Sequence, residues 1–134
     1  MQKLIFFDTE TTGIGEEDYL CQIAYKIANE KDSESFVGMY KPPIPIPAGA
    51  SAVHHITNEM VKDKPAFKES SDFQIIKELF ENENSIVIAH NMPFDYGMIK
   101  KEGIEPNKTI CTLRVARHLD KDAKLAKHNL QFLR

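Results

Sequence analysis

A short apolar run that stops at acidic residues is the feature that most constrains this fold. Residues 4–7 are all apolar, and they are followed by Asp8, a second acidic residue at Glu10 and the turn-forming stretch 11–13. Four apolar residues before such a turn are too few for a helix and are typical of a buried strand. Because side chains two apart on a strand point to the same face, the sequence predicts a strand over 3–8 with both carboxylates on one side of it.

The rest of the chain has the element order of an α/β protein. Apolar residues spaced two apart predict strands over 19–27 and 34–40, as an antiparallel meander on the first strand. The segment 41–47 contains four prolines and is expected to be an extended loop. Further strands are predicted over 85–89 and 108–111, and helices over 71–80, 93–103, 112–119 and from Asn129 onward. This order predicts a mixed five-stranded sheet flanked by helices, with the first and fourth strands adjacent.

Length and composition fit one globular domain over residues 1–134. The chain has 42% hydrophobic and 28% charged residues, so it is neither disordered nor a repeat array. Cys21 and Cys111 are too few for a disulfide scaffold and lack C-x-x-C spacing. The first apolar run is cut off at Asp8, and there is no run of 18 apolar residues, so we expect a cytoplasmic protein with no membrane role.

Charge is distributed unevenly along the chain. The net charge is −3, but residues 1–96 carry 8 basic and 16 acidic residues, whereas 97–134 carry 9 basic and 4 acidic ones. An acidic body could hold a metal ion while a basic C-terminal part contacts phosphate. A solvated basic helix face explains the same pattern, and charge alone favours that simpler interpretation.

Three carboxylates are predicted to meet near the centre of the sheet. Asp8 and Glu10 lie on the first strand, and Asp95 begins the helix after the adjacent fourth strand. Such a set suits two Mg²⁺ or Mn²⁺ ions and attack on a phosphate. By spacing alone, however, Asp8 and Glu10 could cap a turn, and Asp95 could simply favour a helix N-terminus.

The residues around these carboxylates carry a family resemblance. Residues 6–13 (Phe-Phe-Asp-Thr-Glu-Thr-Thr-Gly) resemble the first motif of the DnaQ-like (DEDD) 3′-5′ exonucleases, and 89–95 (Ala-His-Asn-Met-Pro-Phe-Asp) resemble the second. Residues 53–57 (Val-His-His-Ile-Thr) are similar to a Val-His-Gly-Ile-Thr segment of the same family. The three matches occur in the family's order, and the resemblance extends over essentially the whole chain.

The resemblance implies a ribonuclease H-like fold and metal-dependent hydrolysis that releases nucleoside monophosphates from the 3′ end of DNA or RNA. It implies that Asp8 bridges two Mg²⁺ or Mn²⁺ ions, that Glu10 binds the ion that activates water, and that Asp95 holds the second ion. Its implied partner is a single-stranded 3′ end, with a DNA polymerase subunit left open as a second partner. The implied substrate-binding residues are Thr9, Thr11, Thr12, His54 and Asn91.

One part of the family pattern is absent. The family's third motif, His-x4-Asp or Tyr-x3-Asp, supplies a fourth carboxylate and the general base, and this chain contains neither spacing in its C-terminal part. We therefore expect an exonuclease domain that is truncated at its C-terminus, with the last helix incomplete. The alternatives are a natural degenerate member of the family and a protein whose missing ligand comes from a partner. Without the base, we expect water activation to be about 10²- to 10⁴-fold weaker.

Two rival functions are compatible with parts of the sequence. A haloacid-dehalogenase-like phosphatase also has acidic residues after its first strand, but its chemistry needs Asp-x-Asp, and this chain has Glu10 in the second place. A catalytically silent nucleic-acid-binding or polymerase-associated module of the same fold is the alternative from a different class. Metal- and nucleotide-dependent stabilisation that requires Asp8 distinguishes a working site from the silent module.

Overall fold

The computed structural model describes residues 2–28 and 33–119. The helix predicted from Asn129, the incomplete last helix and the basic residues after Leu119 lie outside these residues. The described part contains five strands and five α-helices, with one 3₁₀ turn. In chain order they are β1 Lys3–Thr11, β2 Leu20–Ala28, β3 Ser33–Met39, α1 Ala48–His54, α2 Asn58–Val61, the 3₁₀ turn Phe67–Glu69, α3 Asp72–Glu81, β4 Ser85–Ala89, α4 Met92–Lys101, β5 Thr109–Cys111 and α5 Thr112–Leu119.

The five strands form one mixed sheet in the order β3-β2-β1-β4-β5. The β1–β2 and β2–β3 pairs are antiparallel, whereas β1–β4 and β4–β5 are parallel. The predicted five-stranded mixed sheet, the antiparallel meander and the adjacency of the first and fourth strands are therefore confirmed. The parallel pairing of β1 with β4 brings the end of β4, and so the start of α4, next to the middle of β1.

The core lies on one face of β1. Ile5 and Phe7 are buried on that face, and Phe7 packs edge-on against Phe80 of α3 at 5.1 Å between ring centroids. Alternation places Leu4 and Phe6 on the opposite face, where both stay partly exposed among the described residues. Asp8 shares this second face, so its carboxylate can be reached from solvent.

β1 is longer than the sequence predicts. It continues three residues past Asp8, because Asp8, Thr9 and Glu10 pair with Ala24, Ile23 and Gln22 of β2. The apolar run ends at Phe7, but backbone hydrogen bonds to a neighbouring strand do not depend on apolar side chains. The carboxylates therefore lie within the strand and not beyond its end, and a bulge follows between Glu10 and Thr11.

The segment between β3 and α3 contains helices that the sequence does not reveal. No element is predicted from the sequence at His54, but it is the last residue of α1, and His55 ends that helix with a left-handed backbone. α1 is built mainly from small residues and has no buried side chain, so it shows no helical apolar period. The proline-rich stretch before it is a loop, as predicted. None of the helices in the described ranges is long and apolar enough to cross a membrane.

Candidate active site

Asp8 and Glu10 lie side by side on the open face of β1. Asp8 is exposed and Glu10 is half-buried, whereas the intervening Thr9 and the following Thr11 are buried on the core face. The predicted placement of both carboxylates on one face is thus confirmed by the strand's burial pattern. This stretch of β1 therefore presents Asp8 and Glu10 on its open face and the buried threonines Thr9 and Thr11 on its core face.

Asp95 reaches β1 from the first turn of α4. Its residue is only 3% exposed, and its Oδ1 accepts hydrogen bonds from the Thr9 backbone N–H at 3.2 Å and from Thr9 Oγ1 at 2.6 Å. The short distance to the hydroxyl is typical of a charge-assisted bond to a carboxylate. Thr9 therefore connects the helix carboxylate to the strand that carries Asp8 and Glu10.

The three carboxyl groups are electrostatically coupled. Burial and, less strongly, the negative charges of Asp8 and Glu10 raise the pKa of Asp95 to about 7, and the Thr9 hydrogen bonds oppose this rise. Burial and the charge of Asp8 also raise the pKa of Glu10. Desolvation raises the pKa of Asp8 even though the residue is exposed, while a Thr9 backbone hydrogen bond and the charge of His90 oppose it. Burial therefore disfavours the ionised form of all three carboxyl groups.

The donor chemistry of this set fits a hard divalent cation. Carboxylate oxygens are the ligands that Mg²⁺ and Mn²⁺ prefer, and a cation relieves repulsion between acidic groups. In residues 2–28 and 33–119, however, no three His, Cys, Asp or Glu side chains converge closely enough to form a finished metal site. The hydrogen bonds of Asp95 to Thr9 both use Oδ1. The three predicted carboxylates are thus near enough to influence one another's pKa values, but within the described ranges they do not converge on a single point as metal ligands do.

The hydroxyls of Thr11 and Thr12 build the turn after β1. Thr11 Oγ1 donates to the Gly13 carbonyl at 2.7 Å, and Thr12 Oγ1 donates to Asp18 Oδ1 at 2.7 Å. Asp18 Oδ2 also accepts from the Gly15 N–H at 2.8 Å. A Cβ on Gly13 would lie 2.5 Å from Asp18 Oδ2, so any larger residue there would have to displace the Asp18 carboxylate. The sequence patterns missed Asp18, although an acidic residue after a Gly-x-Gly turn is a signal that could have identified it.

His54 connects α1 to the end of β1. Its Nδ1 accepts a hydrogen bond from the Ile56 N–H at 3.1 Å, so its Nε2 is the nitrogen that donates to the Thr11 carbonyl at 2.9 Å. His54 also lies near Glu10 and opposes the rise in the Glu10 pKa electrostatically. The residue predicted to contact substrate thus has both ring nitrogens engaged with backbone groups.

Asn91 and His90 form the turn from β4 into α4. Asn91 is exposed and precedes α4 with a left-handed backbone of φ 61° and ψ 56°. His90 Nδ1 lies 2.8 Å from Thr112 Oγ1, which joins this turn to the start of α5. The turn aims the first residues of α4, including Asp95, at β1.

We expect the Asn91 backbone to set the stability of this turn. Asn91→Ala should lower the free energy of unfolding by about 1 kcal/mol, because only glycine and, less readily, asparagine adopt the left-handed region without strain. Asn91→Gly should stay within a few tenths of a kcal/mol of the parent protein. Urea unfolding of both variants measures the difference, and equal stability of the two would contradict the assignment.

The Thr9 hydroxyl is expected to stabilise the charged Asp95. Thr9→Val should lower the free energy of unfolding at pH 8 by roughly 2 kcal/mol, because a buried carboxylate loses a hydrogen bond while the volume of residue 9 stays nearly constant. Thr9→Ser keeps the hydroxyl and should lose less. If urea unfolding finds the valine variant as stable as the serine variant, the bond contributes little.

Comparison with known proteins relates the whole described fold to nucleases. The RNase T family model, described as exonuclease, matches residues 5–134. DNA polymerase III subunit epsilon of Buchnera aphidicola subsp. Acyrthosiphon pisum is 37% identical over 138 aligned residues, which cover 88% of this chain and 55% of that protein. The PolC-type DNA polymerase III of Caldanaerobacter subterraneus subsp. tengcongensis is 33% identical, over 91% of this chain and 9% of that protein. The chain spans about half or less of the length of these curated relatives.

Solved structures share the same architecture. Exonuclease X in complex with 5′ overhanging duplex DNA has a TM-score of 0.74 and 28% identity, and the match covers 97% of this chain and 70% of that chain. Apo exonuclease I has a TM-score of 0.79 and 18% identity, over 99% of this chain and 36% of that chain. These matches confirm the fold class predicted from the sequence.

Proposed function

Because this chain belongs to the RNase T exonuclease family, we propose that it is a 3′-5′ exonuclease with a ribonuclease H-like fold. It hydrolyses the terminal phosphodiester bond of a DNA strand and releases nucleoside monophosphates. The observation that carries this proposal is the coupled set of Asp8, Glu10 and Asp95, in which burial and then the neighbouring acidic charges raise the pKa values of Glu10 and Asp95. Exonucleases of this family generally use divalent metals, and these three side chains supply suitable oxygen ligands.

Each carboxylate has a separate task in this proposal. Asp8 and Glu10 hold metal from the open face of β1, and Asp95 holds it from α4 while Thr9 orients its carboxylate. When bound, two Mg²⁺ or Mn²⁺ ions neutralise charge on the reacting phosphate and lower the pKa of the attacking water. The turn built by Thr11, Thr12 and their partners positions backbone groups beside the strand end.

The substrate preference for DNA rests on named relatives. Exonuclease X is solved with duplex DNA, and the curated relatives are DNA polymerase III proteins. A single-stranded 3′ end is the form that the open face of β1 would accept, with Asn91 and His54 at its borders. The same relatives support a cytoplasmic protein that acts beside a DNA polymerase subunit.

The direction of hydrolysis can be measured with end-labelled strands. Protein in excess over a 5′-labelled oligonucleotide should, with Mn²⁺ or Mg²⁺, give a ladder that shortens from the 3′ end and yields nucleoside monophosphates. A matched strand with a blocked 3′ end should remain intact, and chelation of the metal should stop the reaction. Shortening from the 5′ end, or internal cuts, would contradict the proposal. A matched RNA strand tests the DNA preference.

A catalytically silent binding module is a second candidate. It is favoured by the finding that no three potential ligands form a finished metal site within the described ranges. Thermal unfolding with Mn²⁺ and a nucleoside monophosphate separates the two functions. An unchanged melting temperature without hydrolysis indicates the silent module, whereas a rise with hydrolysis supports the exonuclease.

A further inference from the structure

The bulge in β1 directly follows one of the three carboxylates. Glu10 is the last residue of β1 in regular register, and it pairs with Gln22 of β2. Thr11 pairs with Leu20, so the register skips the intervening Cys21. A bulge interrupts the hydrogen bonds between two strands locally, and bulges beside active sites change the direction of nearby side chains. The conformation of this bulge therefore affects where the Glu10 carboxylate points.

The peptide group that joins Thr11 to Thr12 is hydrogen-bonded at both ends. Its carbonyl oxygen accepts a hydrogen bond from His54 Nε2 at 2.9 Å. Its N–H, which belongs to Thr12, donates to the Tyr19 carbonyl at 2.9 Å. Because the two bonds lie on opposite sides of a planar group, they fix the orientation of the peptide directly after the bulge.

His54 is in turn held by the residues that follow α1. The Ile56 N–H donates to His54 Nδ1 at 3.1 Å, which leaves Nε2 as the donor to the Thr11 carbonyl. Ser51 Oγ donates to the Ile56 carbonyl at 2.7 Å, and Ile56 is buried in a cluster that also contains Cys21. The same buried cluster thus supports the histidine and the β2 residue that the register skips. Fixed supporting groups of this kind keep metal ligands in a productive direction.

We propose that His54 is a positioning residue that restrains the bulge through the Thr11 carbonyl and so keeps the Glu10 carboxylate directed at the metal site. The inference rests on the proposed function, because it takes Glu10 as a metal ligand. The register of residues 4–10 is set by β2. His54 therefore determines the direction of the Glu10 side chain on the open face and not the face itself.

The contacts of His54 favour this role over direct contact with a strand. Nε2 is bonded to the Thr11 carbonyl, and Nδ1 is bonded to the Ile56 N–H. A phosphate or sugar could bind either ring nitrogen only after one of these bonds is broken. Restraint of the bulge needs no such rearrangement.

Two substitutions of His54 separate the tasks of its ring nitrogens. His54→Asn keeps an acceptor near the Nδ1 position for the Ile56 N–H, but its side chain is too short to reach the Thr11 carbonyl. His54→Gln places an amide N–H donor near the Nε2 position and can restore the bond to Thr11. The matched control is His55→Asn, which removes an exposed imidazole from the adjacent residue. Asparagine tolerates the left-handed backbone of residue 55, whose φ is 64°.

The Mn²⁺ affinity of the protein without substrate is the main measurement. In isothermal titration calorimetry, His54→Asn should bind Mn²⁺ about tenfold more weakly than the parent protein, as is typical when a group that orients a metal ligand is removed. His54→Gln should recover most of the lost affinity, and His55→Asn should bind Mn²⁺ as the parent protein does. Circular dichroism and the melting temperature without metal show that each variant is folded.

Two further measurements separate restraint of the bulge from other roles. Binding of a fluorescent DNA strand in EDTA should be similar for His54→Asn and the parent protein, because the proposal gives His54 no contact with the strand. In ¹⁵N NMR of the parent protein, the His54 ring should carry its proton on Nε2 and none on Nδ1. A histidine that only stabilised the fold would leave the Mn²⁺ affinity of folded variants unchanged.

Several outcomes would overturn the inference. Equal Mn²⁺ affinity of His54→Asn and the parent protein would show that His54 does not position a metal ligand. An equal loss in His54→Asn and His54→Gln would show that the Thr11 bond is not the cause. Weaker strand binding in EDTA with unchanged Mn²⁺ affinity would assign His54 to the strand, and a proton on Nδ1 instead of Nε2 would contradict the contacts themselves.

The results also distinguish this inference from the proposed function. If the parent protein binds Mn²⁺ and shortens strands from the 3′ end, and His54→Asn binds Mn²⁺ equally well, the exonuclease proposal stands and the positioning proposal fails. If His54→Asn loses Mn²⁺ affinity and His54→Gln recovers it, but the parent protein shortens no strand, the positioning proposal stands and the exonuclease proposal fails. A parent protein that binds no Mn²⁺ would contradict both.

Discussion

Asp8→Asn should lower the rate of strand hydrolysis about 10³-fold, because a metal-binding carboxylate supplies several kcal/mol of transition-state stabilisation. Asp8 is exposed in the middle of β1, and its backbone pairs with Ala24 of β2. Asparagine has nearly the same shape and keeps the strand pairing, so the fold should be retained. The loss therefore reports on charge at the site and not on unfolding.

Glu34→Gln is the matched control for this change. Glu34 is exposed on β3 of the same sheet, so the substitution also removes one acidic charge from an exposed strand position. The rate should stay within about twofold of the parent protein, since surface substitutions away from a site have small effects. Single-turnover rates with Mn²⁺ measure both variants. An Asp8→Asn protein that keeps more than about a tenth of the parent rate would remove Asp8 from the metal site.

Asp95→Asn should make the metal-free protein more stable at pH 8. In the presence of Mg²⁺ or Mn²⁺, the same variant should not hydrolyse the strand. The folded-state pKa of Asp95 is raised from 3.8 to about 7, so the folded protein binds this proton more tightly than the unfolded chain does. Stability from this group is therefore fully present below about pH 4 and is lost as the pH rises toward 7. The corresponding free energy is roughly 4 kcal/mol as an upper figure.

Asparagine keeps the oxygen that accepts both Thr9 hydrogen bonds but carries no charge. The variant should exceed the parent protein by about 2–4 kcal/mol at pH 8 and match it near pH 4. Urea unfolding in EDTA at several pH values measures this difference. Because Asp8 and Glu10 are present in both proteins, their own titration largely cancels in the comparison. A difference that is constant from pH 4 to pH 8 would show that Asp95 is not destabilised by its burial.

Addition of Mg²⁺ should reduce the difference in unfolding free energy between the parent protein and Asp95→Asn at pH 8. A cation that binds the carboxylates stabilises only the folded parent protein and offsets the repulsion that the asparagine variant lacks. The lower stability that the buried Asp95 carboxylate causes in the metal-free protein would then result from its placement as a metal ligand. Failure of Mg²⁺ and Mn²⁺ to raise the melting temperature of the parent protein would contradict this explanation.

The sequence was informative where apolar periodicity and motif spacing act together. The strand order follows from short apolar runs that alternate with helical patterns, and the shared face of Asp8 and Glu10 follows from the two-residue period of a strand. The position of Asp95 near them follows from the adjacency of the first and fourth strands. These features depend on local geometry and on a small set of sheet topologies.

Other features depend on contacts that no local pattern records. β1 extends to Thr11 because β2 supplies backbone partners, and the apolar run alone does not show this. The role of His54 depends on a bond to the Thr11 carbonyl, 43 residues away in the chain. Substrate roles for the threonine hydroxyls and Asn91 remain predictions.

The bulge between Glu10 and Thr11 separates two parts of the site that can change independently. Residues 4–10 are fixed in register by β2, whereas Thr11 already pairs out of that register with Leu20. A change in the length or sequence of the turn 12–19 can therefore alter the pairing after the bulge without changing the register of residues 4–10. Asp8 and Glu10 then stay on the same face of the sheet. The fold can thus diversify the surface that meets a substrate while it preserves the position of the carboxylates, and the turn is the place to alter selectivity by design.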